Sequence, residues 1–241
     1  MSRLDLACET DLSPTFVRRL EAGRASAEAD TLLQIAECLR LPLRARNAML
    51  TAAGHPPPFS QQGFETTGLR RARDAVQALL TAQEPIPAVA IDRHWRILAA
   101  NRGIAALTAG VEPAILHPPI NLMRLFLHPA GLSSRIVNLK QWRHHLTERL
   151  QRDADQDHDP DLVDLLEEVR DYPCPCWDAM PSEDPEVVVL LRIVTIQGTL
   201  SFIATTTRFS MPMDVTVSEI AIESFLPADA DTAAFLRRAV G

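Results

Sequence analysis

"EVVVLLRIVTIQGTLSFIATTTRF", residues 186–209, decides the fold. Two apolar, β-branched runs, 186–196 and 199–209, flank Gln197-Gly198, and the pattern reads as a hairpin with a two-residue turn. Downstream, "DVTVSEIAIESFLP" (214–227) alternates apolar and polar residues from Val215 and Val217 onward, which predicts a third strand with one wet face. Upstream, "PAVAIDRHWRILAAN" (87–101) places two short apolar runs around the polar turn Asp92-Arg93-His94, a second hairpin. Between the hairpins, the spacing predicts helices over Arg102–Ala109, Leu139–Arg152 and Pro160–Asp171. Asn138 can cap the second of these, with Gln141 at the capping-box position. Residues 111–137, with prolines at 113, 118, 119 and 129, read as irregular. A short helix in "DADTAAFLRRAVG" (229–241) closes the chain. This is a sheet of about five antiparallel strands, with helices inserted between the second and third.

The first 53 residues read differently, as short helices over Arg3–Glu9, Ser13–Glu21, Ala29–Leu39 and Leu43–Ala53. Ser13 is an N-cap, Pro14 takes the first helical position, and Gly23 and Gly54 stop helices. "HPPPF" (55–59) and "SQQGFETTG" (60–68) read as a linker, and Leu69–Ala82 as a further helix. The expected class is α+β: an all-α domain over 1–57, a linker over 58–68, and a sheet-and-helix domain over 69–241.

Composition excludes several classes. The 241 residues are 46% hydrophobic and 23% charged, as in ordinary globular proteins. No apolar run reaches the ~18 residues of a membrane span. The first residues lack the apolar core of a signal peptide, so the expectation is a cytoplasmic protein with no membrane partner. Cys8, Cys38, Cys174 and Cys176 lack the spacing of a zinc site and are expected to be reduced thiols. The net charge is −7, and residues 1–53 carry seven arginines against seven acids. A DNA-binding domain with that balance is expected to bind weakly and with strong salt dependence.

Residues 2–24, "SRLDLACETDLSPTFVRRLEAGR", resemble the Xre-type helix-turn-helix through Ser2, Leu6, Ala7, Leu12, Ser13, Val17, Leu20, Glu21, Gly23 and Arg24. Leu6, Leu12, Val17 and Leu20 can close a small core between two helices. The resemblance implies a double-stranded DNA operator as partner, read by the start of the second helix in the major groove. Ser13, Pro14, Thr15, Phe16, Arg18, Arg19 and Arg24 are the DNA-facing candidates. Thr15 or Phe16 can meet a thymine methyl, and Arg18 or Arg19 a guanine or a phosphate. Two positions depart from the family pattern. Asp11 stands at the turn glycine, at a cost of roughly 1 kcal/mol. Arg3 stands at a glutamine position, from where it can reach a phosphate. The family also places a helix before this motif, whereas residue 1 already lies at it. The expectation is a recorded start too far downstream, or a truncated domain that is less stable and binds DNA poorly.

"EPIPAVAIDRHWRILAAN", "PPINLMRLFLHPAGLSSRIVNLKQW" and "LVDLLEEVRDYP", with "RLPLRARNAMLTAAGHPPPF" before them, resemble regulators carrying an MmyB-like ligand-binding domain. The resemblance implies a PAS-like sheet and helices around a pocket for a small, apolar or fatty-acid-like ligand. It implies Asn101, Asn121, Arg124, His128, Arg135 and Trp142 as ligand candidates. Arg124 or Arg135 can hold a carboxylate bidentately while Leu122, Met123, Leu125 and Phe126 line an apolar tunnel. The structural alternative makes Trp142 core, His128-Pro129 a turn and Asn138 a cap.

"DADQDHDPDLVD" (153–164) spaces acids somewhat like a calcium loop, but His158 replaces the central glycine, Asp164 the final glutamate, and Pro160 begins a helix. It reads as a solvated connector, and no metal or cofactor is expected. His144-His145 reads as helix surface, and Ser133-Ser134 and Cys174-Pro-Cys176 lack a paired base, so no catalysis is expected. The function expected is a homodimeric, non-enzymatic transcription regulator in which ligand shifts the population of dimer arrangements. The alternative is a ligand-binding protein that has lost DNA binding.

Overall fold

Four helix ends govern the N-terminal part of the structure, a computed structural model that describes residues 1–157, 159–174 and 188–240. The helices are α1 (Arg3–Glu9), α2 (Pro14–Glu21), α3 (Ala29–Cys38) and α4 (Leu43–Ala52). Each ends with a left-handed residue, namely Asp11, Gly23, Arg40 and Gly54, with φ of 54°, 64°, 53° and 84°. After each one, the next amide donates back five residues: Leu12 to Ala7, Arg24 to Arg19, Leu41 to Ala36 and His55 to Leu50. These bonds satisfy carbonyls that the helix ends would orphan. Leu6, Ala7, Val17 and Ile35 pack a small core, with Leu12, Leu20 and Cys38 against it.

The chain divides into two units, Met1–Arg70 with Phe209–Glu219, and Arg71–Arg208 with Ile220–Gly241. Residues 209–219 belong to the first unit, and so do residues 58–68. The Ser60 hydroxyl donates to Asp214 Oδ2 at 2.5 Å, and Val215 N donates to Ser60 O at 2.8 Å.

The second unit begins within α5 (Arg70–Ala82) and contains β1 (Ala88–Ile91), β2 (Ile97–Ala100) and α6 (Ile104–Thr108). It continues through α7 (Leu122–Leu127), α8 (Leu139–Asp157), α9 (Pro160–Asp171), β3 (Leu190–Thr195) and β4 (Gly198–Arg208). The chain returns through α10 (Val215–Glu219) in the first unit to β5 (Ala221–Pro227) and α11 (Ala230–Val240). The five strands form one antiparallel sheet in the order β2-β1-β5-β4-β3. The architecture is α+β, with a PAS-like sheet and its helices inserted between β2 and β3 as the sequence implies. Val89, Ile91, Phe225, Leu200, Phe202, Leu191 and Ile193 share the sheet's inner face with Leu125, Phe126, Trp142, Leu146, Leu162 and Leu166 from the helices.

Several local expectations are corrected. Residues 214–227 are not one strand: Val215–Glu219 is helical, because Asp214 Oδ1 accepts from Val217 N and its carbonyl from Ser218 N. A cap at the start outweighs the apolar alternation. Residues 111–137 are not wholly irregular, since they contain α7 and a short 3-10 turn, Ser133–Arg135. The β3–β4 turn is Ile196-Gln197, with Gly198 already paired to Thr195 at φ 124°. The β1–β2 turn is tighter in chemistry than expected. Asp92 Oδ1 accepts from His94 N and Arg96 N, and Trp95 sits at φ 63°. Helix α8 runs five residues past Arg152, so Asp153 and Asp155 lie on a helix rather than in a calcium-type loop. His158 and Cys176 lie outside the described residues. Among the described residues, no helix is long and apolar enough to cross a membrane.

Candidate functional site

In the first unit, α2 has one inward and one outward face. Ser13 accepts from Phe16 N at 3.1 Å, and Pro14 follows at the first helical position, which fixes where the helix starts. Val17 is then buried and Phe16 half-buried, while Pro14, Thr15, Arg18 and Arg19 are exposed. Arg19 also donates to Arg24 O at 3.4 Å, and the Arg24 side chain is exposed. Arg3 is committed differently: it pairs with Glu21 at 2.5 Å, bracing α1 against α2. A cavity of about 460 Å³ in the same unit lies among Leu69, Phe209, Met211, Met213 and Val217.

In the second unit, the candidate ligand residues are mostly held by the fold. Asn101 is buried, accepts from Ala88 N, and donates to Leu80 O and Ile86 O. Asn121 caps α7 through Met123 N and Arg124 N and donates to His94 O. His128 accepts from Ala130 N and meets the Tyr172 ring edge-on, with centroids 5.0 Å apart. Arg135 donates to the carbonyls of Leu107, Ala109 and Val194. The Asn138 side chain donates to Gln141 Oε1 and Leu190 O and accepts from Arg192 N, tying the start of α8 to β3. Trp142 is core, edge-on to Phe126 at 5.9 Å. Its indole N–H is buried without a hydrogen-bond partner among the described residues. Leu122, Met123, Leu125 and Phe126 are each at most 2% exposed and fill the core, so they do not line an open tunnel. His145 is half-buried against the Trp142 ring, 5.5 Å between centroids, and is not simple surface.

Asn121 and Arg124 of that set meet at one cavity, of about 260 Å³, with His94, Arg96, Asp161, Asp164, Leu165 and Glu168. Arg124 forks onto Glu168 at 2.8 and 2.6 Å, which holds the Glu168 carboxyl below its usual range against the opposing effect of burial. Burial pushes the Tyr172 phenol up, and its hydrogen bond to Glu168 adds to the shift. Beside the cavity, Arg93 and His94 both engage the Asp159 carboxylate. Burial alone would raise Asp159, but hydrogen bonds from His94 and Asp161 N and the charge of Arg93 outweigh it and lower it. Donor atoms of His94, Asp159 and Asp161 lie within 4.8 Å of one another, close enough for one metal ion. The sequence reading missed this cavity. Its legible signal was the acidic stripe Asp161, Asp164, Glu168 at helical spacing, facing the charged turn Arg93–Arg96.

Residues 72–239 match a family model described as the MmyB-like transcription regulator ligand binding domain. No curated protein matches the chain significantly. Among solved structures, that of an RNA-binding light-oxygen-voltage receptor aligns with 98% of this chain and 60% of its own, at 14% identity and a TM-score of 0.27. The chain thus spans 60% of that receptor's length.

Proposed function

The chain belongs to the MmyB-like transcription regulator ligand-binding family, and from this we propose that it is a DNA-binding regulator sensing a small apolar or fatty-acid-like molecule. The family supports ligand sensing by the second unit. The observation that carries the DNA-binding half is α2, which buries Val17 and leaves Thr15, Arg18 and Arg19 outward. That is the division of labour a recognition helix needs: an apolar side for its own core, and forked donors for bases and phosphates. A symmetric dimer would set two such helices about one DNA turn apart. The unpartnered indole N–H of Trp142 offers a donor to the polar end of a ligand that enters the core.

The test is retention of the full chain on its own promoter region beside random DNA, across a salt series, with and without added fatty acid. Specific retention near physiological salt, altered by the acid, supports the reading. Equal weak binding to both DNAs, lost as salt rises, overturns the DNA-binding half and leaves a ligand-binding protein.

A further inference from the structure

The 260 Å³ cavity of the second unit has a lining that an apolar ligand does not explain. Leu165 is its one apolar side chain, so an acyl chain has nothing to lie against. Its Arg124 and Glu168 neutralise each other, and Asn121 is used within the fold. Three charges remain. Arg96 lies on the β1–β2 side, and Asp161 and Asp164 lie three residues apart on α9, on one helical face. None of the three side chains makes an ion pair or hydrogen bond among the described residues. A guanidinium and two carboxylates therefore border one space without closing on each other.

We propose that this cavity binds a free α-amino acid, with the ligand carboxylate on Arg96 and its ammonium on Asp161 and Asp164. The arginine fork suits a carboxylate, and an ammonium has three donors to share between two carboxylates. The volume lies just under the ~300 Å³ at which drug-sized pockets begin, which suits a ligand of this size. A divalent cation on His94, Asp159 and Asp161 is the competing occupant. It is disfavoured because Arg93 already holds the Asp159 carboxylate and would set a positive charge beside the metal. The site meets the apolar core only at Leu165, and its occupancy can be measured without DNA.

The experiment is a thermal-shift screen of the full chain against the free L-amino acids, followed by calorimetric titration of the best one. The same compound is then titrated as its N-acetyl and methyl-ester forms, which lack the ammonium and the carboxylate charge respectively. Saturable binding that weakens about tenfold or more in both blocked forms is expected. Arg96→Met and the pair Asp161→Asn/Asp164→Asn should each weaken it similarly, with melting of the unliganded proteins unchanged because these side chains are exposed. No binding up to roughly 10 mM overturns the proposal. So does equal binding of a blocked form, binding indifferent to the variants, or stabilisation by zinc alone that His94→Ala abolishes.

Discussion

Arg149 on α8 donates to both oxygens of Glu223 on β5, at 2.7 and 3.2 Å, and Glu223 is 2% exposed. Thr206 on β4 donates to the same carboxylate at 2.9 Å, and the Arg149 guanidinium stacks 4.8 Å over the Trp95 ring. Trp95 in turn donates to Asp153, one turn beyond Arg149. A carboxylate in mid-sheet is thus tied to the helix that covers the sheet. Arg149→Met should destabilise the protein by about 3–5 kcal/mol, because it leaves the buried Glu223 charge without its cationic partner. Arg149→Met with Glu223→Leu should cost far less than the sum of the singles. Urea unfolding of the four proteins measures this, and simple additivity would show that the two residues are not coupled.

Asn101 is a second fixed point. It joins the carbonyls of Leu80 and Ile86 to the amide of Ala88, where β1 begins. Asn101→Leu should cost about 1–3 kcal/mol for each group left buried without a partner. The expected signature is a lowered unfolding midpoint, with fatty-acid affinity of the remaining folded protein unchanged. A loss of affinity at full stability would instead make Asn101 a ligand contact.

The helix ends and the sheet were legible because short-range rules set them. Ser13-Pro14 fixes the start of α2, Gly23 its end, and the apolar runs around 197–198 a hairpin. Residues 214–227 misled because Asp-Val-Thr-Val-Ser has strand alternation, while the Asp214 cap and its Ser60 partner make it helical. Ser60 lies 154 positions away, beyond any local pattern. The ligand candidates were legible only as residue types. Nothing local shows that Asn121 is spent on a helix start or Arg124 on Glu168, 44 residues on. The cavity shared by the β1–β2 turn and α9 depends on how distant elements pack, so its charges could be read but not their meeting.

His145 sets a pH dependence. Burial lowers its pKa from 6.5, and the charges of Arg149 and Arg152 lower it further, against the opposing pull of Glu148 and Glu223. The unfolded chain therefore binds a proton more readily than the folded one. Stability should fall as pH drops through about 6.5 and level off once the folded-state histidine also protonates. Unfolding curves of the protein and of His145→Gln at pH 7.5 and 5.5 measure the difference. The variant should lose less stability across the interval, and parallel losses would remove His145 as the cause.

The outward face of α2 makes the sharpest demand on the DNA-binding reading. Arg18, Arg19 and Arg24 are exposed, so Arg18→Ala and Arg19→Ala should leave stability within about 0.5 kcal/mol. An arginine that meets only phosphate should weaken binding equally to promoter and random DNA, and reduce the salt slope by about 1. One that forks onto a guanine should weaken promoter binding by about 1–3 kcal/mol and random DNA far less. Arg3 separates structure from contact, because its partner Glu21 and its own side chain are both largely exposed. Arg3→Ala should cost at most about 1 kcal/mol of stability, so a larger loss of DNA affinity would mean that Arg3 leaves Glu21 for a phosphate on binding. If Arg18→Ala, Arg19→Ala and Arg3→Ala all bind promoter DNA like the parent, α2 is not the element that meets it.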